Sequence, residues 1–253
     1  MTTVAPSDHL RDVYERRGEL QYAAPVVPDP TLDRKFAVVT KELRAFLPVT
    51  SLLDAGCGDG RYLASIGTLG AVPGRLVGVD IAESILGTAA LAAAQAGIEV
   101  ELERANLERL PFADSEFELV VCFQAIEHLL EPTLGIRELA RVLAPGGRIV
   151  LTTDNSRRLF TRVLNAPRWT ALRLVGKRDF RTQLSFPHRQ FSEAELRTMF
   201  TQCGLVVERV RTYRFSLLGA GPRLVRLCNR IDALLPDMGF GDVILVVARH
   251  RLA

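Results

Sequence analysis

Cysteine is scarce in this chain, and its few cysteines are far apart. The four lie at positions 57, 122, 203 and 228, and no two of them form a C-x-x-C pair. Disulfide frameworks and zinc sites need several cysteines at short, regular spacings, so neither is predicted. We expect four reduced thiols that fill space as small apolar residues, and we assign no metal site.

Long apolar runs are also absent. The longest unbroken run, Val243 to Ala248, has the length of one strand and is far too short to cross a membrane. The first residues, Met1 to Gly18, mix acids and bases without an apolar core, which argues against a secretory signal. These features predict a cytoplasmic protein.

What remains is an ordinary globular composition with an uneven charge. The 253 residues are 48% hydrophobic and 24% charged, which suits one α/β domain with an added cap. The formal net charge is only +3, yet the stretch from Arg157 to Arg189 holds nine Lys or Arg and one acid. This basic stretch requires an explanation.

From Ser51 onward, the pattern alternates between short Val/Ile/Leu-rich stretches and helical stretches. It predicts strands at Ser51–Asp54, Leu76–Asp80, Ile98–Arg104, Phe117–Phe123, Arg148–Thr153, Leu205–Tyr213 and Asp242–His250, with helices between most of them. Such an alternation favours an α/β fold with a mostly parallel sheet, whose ligands bind at the carboxyl ends of the strands.

Three further segments are predicted to cap this domain. Residues 1–50 read as a polar, helical N-terminal cap, and Ser51 begins the domain that runs to residue 253. Inserts near 155–190 and 215–240 interrupt the alternation and are expected to form a substrate cap.

The stretch LLDAGCGDGRYL, residues 52–63, contains the most informative motif. Glycines at 56, 58 and 60 permit a tight turn and close approach of a ligand to the backbone. A dinucleotide loop would need its third glycine at the place held by Arg61. Asp54 precedes the first glycine, where it would repel a pyrophosphate and attract an ammonium group.

This loop resembles motif I of the class I S-adenosylmethionine-dependent methyltransferases. The resemblance extends over VGVD, RANLERLPF, FELVVCFQ and APGGRIVLTTDN, and so spans residues 52–153 in the family's order. It implies a Rossmann-like seven-stranded sheet with an antiparallel last strand. It is nearest to the ubiquinone-pathway O-methyltransferase group, although Asn106 and Glu118 stand where the family usually has Asp.

The resemblance also implies which residues hold S-adenosylmethionine. Asp80 would accept hydrogen bonds from the ribose hydroxyls, although an acid there could instead cap the next helix. The carbonyl oxygen of Asn106 would meet the adenine amino group. The full predicted donor set is Asp54, Ala55, Gly56, Cys57, Gly58, Gly60, Asp80, Ile81, Asn106, Leu107, Cys122 and Phe123.

Three residues are candidates for the acceptor side. His128 follows the fourth strand of the motif and Asp154 ends the fifth, so an imidazole oriented by a carboxylate could remove a hydroxyl proton. His188, in FPHRQFS, is a second candidate. Each histidine could also serve only as a helix-terminal hydrogen-bonding group.

The basic stretch 157–189 permits two interpretations besides a solvated helix face. It could cover a large, apolar and anionic acceptor, or it could contact an anionic membrane surface. A nucleic acid partner is not predicted, and the oligomeric state is left open. The favoured function is methylation of a hydroxyl on a small or lipid-like molecule, with C- or N-methylation, a nicotinamide-dependent oxidoreductase and a silent donor-binding module as alternatives.

Overall fold

A computed structural model describes residues 11–16, 25, 28–29, 31–69, 72–158, 188–213, 221–234, 237 and 239–251. Most of the basic stretch 157–189 lies outside these residues. So do residues 1–10 and 17–24 of the predicted N-terminal cap, and residues 214–220 of the predicted insert.

Seven strands form one sheet. They are β1 Ser51–Ala55, β2 Arg75–Asp80, β3 Glu101–Arg104, β4 Phe117–Phe123, β5 Leu143–Asp154, β6 Leu205–Tyr213 and β7 Val243–His250. Their order is β3-β2-β1-β4-β5-β7-β6. The first five strands pair in parallel, while β7 is antiparallel to both β5 and β6. The predicted seven-stranded, mostly parallel sheet with an antiparallel last strand is confirmed.

The helices connect these strands. They are α1 Arg34–Phe46, α2 Arg61–Thr68, α3 Glu83–Ala96, α4 Pro132–Val142, α5 Glu193–Gln202 and α6 Pro222–Leu234, with a short 3₁₀ turn at Ile126–His128. At α5, the hydroxyl of Ser192 accepts from the backbone N–H of Glu195, whose carboxylate accepts from the N–H of Ser192. This is the capping box that the sequence predicts.

Two strand boundaries differ from the prediction by more than one residue. β3 begins at Glu101 rather than Ile98, because the N–H of Ile98 donates to the carbonyl of Ala93 and closes the end of α3. β5 begins at Leu143 rather than Arg148, because Leu143 already pairs with Phe117 before a register shift.

The sheet separates two apolar cores. The core on one face contains the side chain of Leu52 and is covered by α1, α2 and α3. The core on the other face contains the side chain of Leu53 and is covered by α4 and α5. Because successive strand residues point to opposite faces, the central strands are buried on both sides. The carboxyl ends of β1, β2, β4 and β5 therefore lie along one edge of the sheet, where polar side chains can meet.

Segments that are distant in the sequence reach this frame through polar contacts. The guanidinium Nε of Arg34 lies 2.6 Å from Oδ2 of Asp232, which attaches α6 to α1. The amide of Asn229 donates to the carbonyl of Thr31 at 2.9 Å. Among the described residues, no helix has the length and apolar character that a membrane span requires.

Candidate functional site

The glycine loop after β1 is held tightly against its neighbours. Its three glycines have φ values of +83° at Gly56, +54° at Gly58 and +74° at Gly60, a region that L side chains disfavour. The N–H of Gly56 donates to the carbonyl of Val79 at 2.8 Å. A Cβ on Gly60 would lie 2.8 Å from the Cα of Ala89, whereas one on Gly58 would meet no atom within 4 Å. Gly60 therefore permits packing on α3, and Gly58 faces open space.

Asp54, at the end of β1, is a buried acid without a counter-charge. Its side chain is 1% exposed, and neither carboxylate oxygen has a hydrogen-bond partner among the described residues. Burial raises the pKa of its carboxyl to about 8, and the nearby charges of Asp80 and Asp59 contribute in the same direction. An unpaired buried carboxylate of this kind fits a cationic ligand group such as an ammonium.

Asp80, at the end of β2, is committed to the backbone around it. Its Oδ2 accepts from the N–H of Gly58 at 3.0 Å, and its Oδ1 accepts from the N–H of Ala82 at 3.1 Å. The first contact ties Asp80 to the glycine loop, and the second closes a turn just before α3 rather than capping the helix itself. Each carboxylate oxygen has a further lone pair, so Asp80 still fits a pair of ribose hydroxyls.

The remaining predicted donor residues divide into two groups. Oδ1 of Asn106 accepts from the N–H of Glu108 at 2.9 Å, which leaves its second lone pair for a ligand. The side chains of Cys57, Cys122 and Leu107 are buried, as are those of Ala55 and Phe123, whereas Ile81 is half-buried. Burial raises the pKa of the thiols of Cys57 and Cys122, so these cysteines are inert. These buried and half-buried residues can therefore offer a ligand mainly backbone groups and apolar surface.

At the end of β5, Asp154 pairs with a histidine from a distant segment. Its Oδ2 lies 3.2 Å from Nε2 of His188 and 3.7 Å from a guanidinium nitrogen of Arg158. Burial acts to raise the pKa of the Asp154 carboxyl, but the hydrogen bond from His188 and the charges of Lys35, His188 and Arg158 bring the pKa down to about 2. The aspartate is therefore ionised and oriented toward His188.

His128 lies beside this pair. Its ring centroid is 5.2 Å from that of His188 and 5.8 Å from that of Tyr14. All three predicted acceptor-side residues thus gather at one place. From the sequence, Asp154 was predicted to orient the imidazole of His128. In the structure, the imidazole that lies within hydrogen-bond distance of Asp154 is that of His188.

Sequence reasoning missed a second buried acid at this end of the sheet. Glu127 is 1% exposed, and its Oε2 accepts from the hydroxyl of Thr153 at 2.8 Å. The pKa of the Glu127 carboxyl is raised to about 7, mainly by burial and also by the charge of Asp154, while the hydrogen bond from Thr153 and the charge of Lys35 act in the opposite direction. Its position next to His128 could have indicated a role for Glu127 in the sequence. A glutamate at that position is equally expected in an exposed turn, however, so the sequence did not single it out.

Two polar residues from other elements meet near Asp154. The ammonium of Lys35, in the first turn of α1, donates to Oε1 of Gln124, which follows β4 with a φ of +56°. Nε2 of Gln124 is buried and has no partner among the described residues. No local pattern could have identified Lys35, because it lies far from the motifs in the sequence.

The helical segment 11–16 lies against the same region. The carboxylate of Glu15 accepts from the N–H groups of Glu83 and Ser84, at 2.7 and 3.0 Å, and so caps α3. Tyr14 packs with Ala82 and Ile85 and contacts the ring of His128. This part of the predicted N-terminal cap therefore contacts both the start of α3 and the ring of His128.

No group of three or more His, Cys, Asp or Glu that could hold a metal ion occurs in the part of the chain that the structure describes. The four cysteines are free, as the sequence predicts. The basic residues between 159 and 187, which the sequence offers as a lid or membrane contact, lie outside the described residues.

Comparisons with known proteins agree with this geometry. Residues 53–151 match the family model described as a methyltransferase domain. A ubiquinone biosynthesis O-methyltransferase from Hahella chejuensis is 36% identical over 113 residues, which are 44% of this chain and 46% of that protein. The match thus spans about half the length of that curated relative. A second, from Xanthomonas axonopodis pv. citri, is 29% identical over 63% of this chain and 64% of that protein.

Solved structures share the fold at lower identity. The PH0226 protein from Pyrococcus horikoshii superposes with a TM-score of 0.64 at 17% identity, covering 93% of this chain and 99% of that one. The magnesium protoporphyrin IX methyltransferase from Synechocystis, solved with bound SAH, superposes with a TM-score of 0.61 at 17% identity, covering 96% and 98%.

The strand order, the glycine loop and the acids at the ends of β1 and β2 define a Rossmann-like domain of the nucleotide-binding kind. Residues 53–151 match a methyltransferase domain, and the seven-stranded sheet around them has the fold of the class I S-adenosylmethionine-dependent methyltransferases. S-adenosylmethionine is the methyl donor of this class.

Proposed function

We propose that this protein transfers a methyl group from S-adenosylmethionine to a hydroxyl of a small or lipid-like molecule. The observation that carries the proposal is the contact of 3.2 Å between Asp154 and Nε2 of His188, with the ring of His128 alongside. A hydroxyl must lose its proton on methylation, and an imidazole oriented by a carboxylate is suited to accept that proton.

The donor is proposed to lie across the ends of β1 and β2. Asp54 would receive its ammonium group, Asp80 its ribose hydroxyls and Asn106 its adenine amino group, with Gly58 leaving room for close approach. The chemistry that the donor supplies is a methyl group already activated on a sulfonium. The protein then has to align the acceptor and manage one proton.

His188 is the residue that we assign to proton transfer. Oδ2 of the ionised Asp154 accepts a hydrogen bond from Nε2 of His188 and therefore favours the tautomer of His188 with the proton on that nitrogen. This tautomer leaves the lone pair of Nδ1 free to accept a proton. Because the His188 side chain is 35% exposed, its ring remains accessible to an acceptor.

The surrounding groups favour a polar or anionic acceptor. The amide nitrogen of Gln124 is buried without a partner among the described residues and could donate to an acceptor oxygen. Lys35 and Arg158 place two cations near the ionised carboxylate of Asp154. An acceptor with an acidic group would balance this charge. The similarity to two ubiquinone biosynthesis O-methyltransferases supports oxygen as the atom that is methylated.

Replacing His188 tests the proposal. In His188→Ala, we expect turnover of a hydroxyl acceptor to fall by about 10² to 10⁴ because the proton acceptor is removed, while affinity for S-adenosylhomocysteine changes little. Radiolabelled methyl transfer to a panel of phenols, sugars and lipids measures the first quantity, and calorimetry measures the second. His250→Ala, at the end of β7, is the matched control and should retain turnover.

The same assay separates the alternatives. A neutral amine acceptor has a free lone pair and needs no base before attack, so undiminished turnover of an amine by His188→Ala would favour N-methylation. Donor binding without transfer to any compound of the panel would favour a silent binding module. A product methylated on carbon would favour C-methylation and also contradict the proposal.

A further inference from the structure

Helix α6 exposes a continuous apolar stripe. Four large side chains on one side of the helix face the surroundings: Leu224 is 46% exposed, Leu227 53%, Ile231 47% and Leu234 86%. Their spacing of three, four and three residues places them on one face, over about 15 Å of helix. Exposed apolar residues usually occur singly, so an aligned set of four indicates a contact surface.

The opposite side of α6 is already occupied. Asp232 is buried and pairs with Arg34, Asn229 donates to the carbonyl of Thr31, and Arg226 lies 3.6 Å from a carboxylate oxygen of Asp29. These contacts fix the rotation of the helix about its axis. The apolar stripe is therefore held outward by specific polar contacts.

The charges beside the stripe restrict what it can contact. Arg223 and Arg230 are exposed and, within the described ranges, have no ion-pair partner. At 100° per residue they lie next to each other along one border of the stripe. The only acid of the helix is Asp232, which is buried against Arg34, so the exposed surface of α6 is apolar and positive.

This charge pattern disfavours a second copy of the same helix. A two-fold contact through the stripe would bring Arg223 and Arg230 of both copies to one interface, and α6 has no exposed carboxylate to neutralise them. A bilayer with anionic headgroups offers both an apolar boundary and negative charge. Amphipathic helices with cations on the border of an apolar face lie in such interfaces.

We propose that α6 lies on an anionic membrane surface, with Leu224, Leu227, Ile231 and Leu234 at the acyl boundary and with Arg223 and Arg230 at the lipid phosphates. This contact is peripheral and requires no membrane-spanning segment. It rests on α6 alone and is separate from the basic stretch 157–189. It is also independent of which acceptor is methylated.

Flotation of the full chain with lipid vesicles tests this assignment. One set of vesicles contains phosphatidylcholine alone, and the other contains phosphatidylcholine and phosphatidylglycerol in equal parts. We expect flotation with the anionic vesicles only, and a decrease as salt rises. Leu227→Gln combined with Ile231→Gln should lower the partition constant at least ten-fold, because apolar contact with the bilayer is lost. Arg223→Gln combined with Arg230→Gln should lower it about 25-fold.

The matched control is Leu134→Gln combined with Arg137→Gln on α4, which replaces an exposed leucine and an exposed arginine on the other face of the sheet. It should float as the unchanged protein does. A thermal shift with S-adenosylhomocysteine that is equal in all variants shows that each is folded.

Three results would overturn the proposal. The first is no flotation with anionic vesicles, and the second is flotation that the α6 variants leave unchanged. The third is a dimer by light scattering that Leu227→Gln with Ile231→Gln converts to a monomer in the absence of lipid, because the stripe would then be covered by a second copy.

Discussion

Three carboxylates near the site differ in protonation because their surroundings differ. Burial raises the pKa of Asp54 to about 8, and it raises that of Glu127 to about 7 although Lys35 acts against it. For Asp154, burial is outweighed by the hydrogen bond from His188 and by neighbouring cations, so its pKa falls to about 2. Near neutral pH, the firmly ionised acid is thus the one that contacts the candidate base.

The proposed role of Asp54 predicts a pH-dependent donor affinity. Below about pH 8 the carboxyl is protonated in the free protein, and a cationic ligand group favours the ionised form, so binding releases a proton. We expect affinity for S-adenosylhomocysteine, measured by calorimetry, to rise by up to about ten-fold per pH unit between about pH 6 and 8. Asp54→Asn should weaken binding about 10- to 100-fold and remove this dependence.

The same substitution should stabilise the free protein. The folded pKa of Asp54 exceeds its unfolded value of about 4, so the folded state binds more protons and loses stability as pH rises from about 4 to 8. Asp54→Asn removes this loss and should raise the free energy of unfolding by about 1–3 kcal/mol at pH 8. Asp114→Asn, an exposed acid, is the control and should change neither quantity. Unchanged donor affinity in Asp54→Asn would contradict the assignment.

The raised pKa of Glu127 also lowers the stability of the folded protein as pH rises, as that of Asp54 does. Its folded pKa of about 7 lies above the unfolded value of about 4, so its contribution to stability is lost as pH rises between these values. Glu127→Gln keeps an oxygen for the Thr153 hydroxyl and removes the titration. We expect urea unfolding to give a flatter pH dependence and a gain of about 1–3 kcal/mol at pH 8.

Thr153→Val is the matched control for Glu127. It removes the hydroxyl that donates to Glu127 but leaves the acid able to titrate, so the protein should lose stability and still show a pH dependence, which extends to higher pH because that hydrogen bond lowers the pKa of Glu127. If the free energy of unfolding depended on pH in the same way in Glu127→Gln and in the unchanged protein, Glu127 would not titrate between about pH 4 and 7.

At the scale of elements, the junction between the glycine loop and α3 is a tight contact. Gly60 has a φ of +74°, and an added Cβ would meet the Cα of Ala89 at 2.8 Å. Gly60→Ala should therefore lower the free energy of unfolding by about 1–3 kcal/mol and displace the loop, which weakens donor binding. Chemical denaturation and calorimetry measure these two effects.

Gly87 offers a matched control within α3 itself. An added Cβ there meets no atom within 4 Å, so Gly87→Ala should raise stability by about 0.5–1 kcal/mol through helix propensity. Equal effects of the two substitutions would mean that the contact between the loop and α3 is not close.

At the same scale, local sequence patterns identified the elements well. Alternation predicted all seven strands, and Ser192 with Glu195 predicted the start of α5, because both signals depend on neighbouring residues alone. The start of β3 was wrong by three residues because the end of α3 uses the N–H of Ile98, a contact that propensity does not reveal.

At the scale of the whole molecule, the sheet order brings distant residues together. Because β4 and β5 are neighbours in the sheet, Gln124 and Glu127, which follow β4, lie near Asp154 at the end of β5. His188 belongs to the segment before α5, and Lys35 belongs to α1. The outward face of α6 likewise depends on its attachment to α1 through Arg34 and Asp232.

The sequence by itself determined the class of fold, the glycine loop and the acids that follow β1 and β2. These features are encoded in contiguous residues, whose spacing directly sets turns and strand ends. Only the tertiary structure decided that Asp154 pairs with His188, that Glu127 is buried against Thr153 and that Lys35 reaches Gln124. Such pairings depend on which strand ends become neighbours and how deeply each is buried, and no local pattern contains that information.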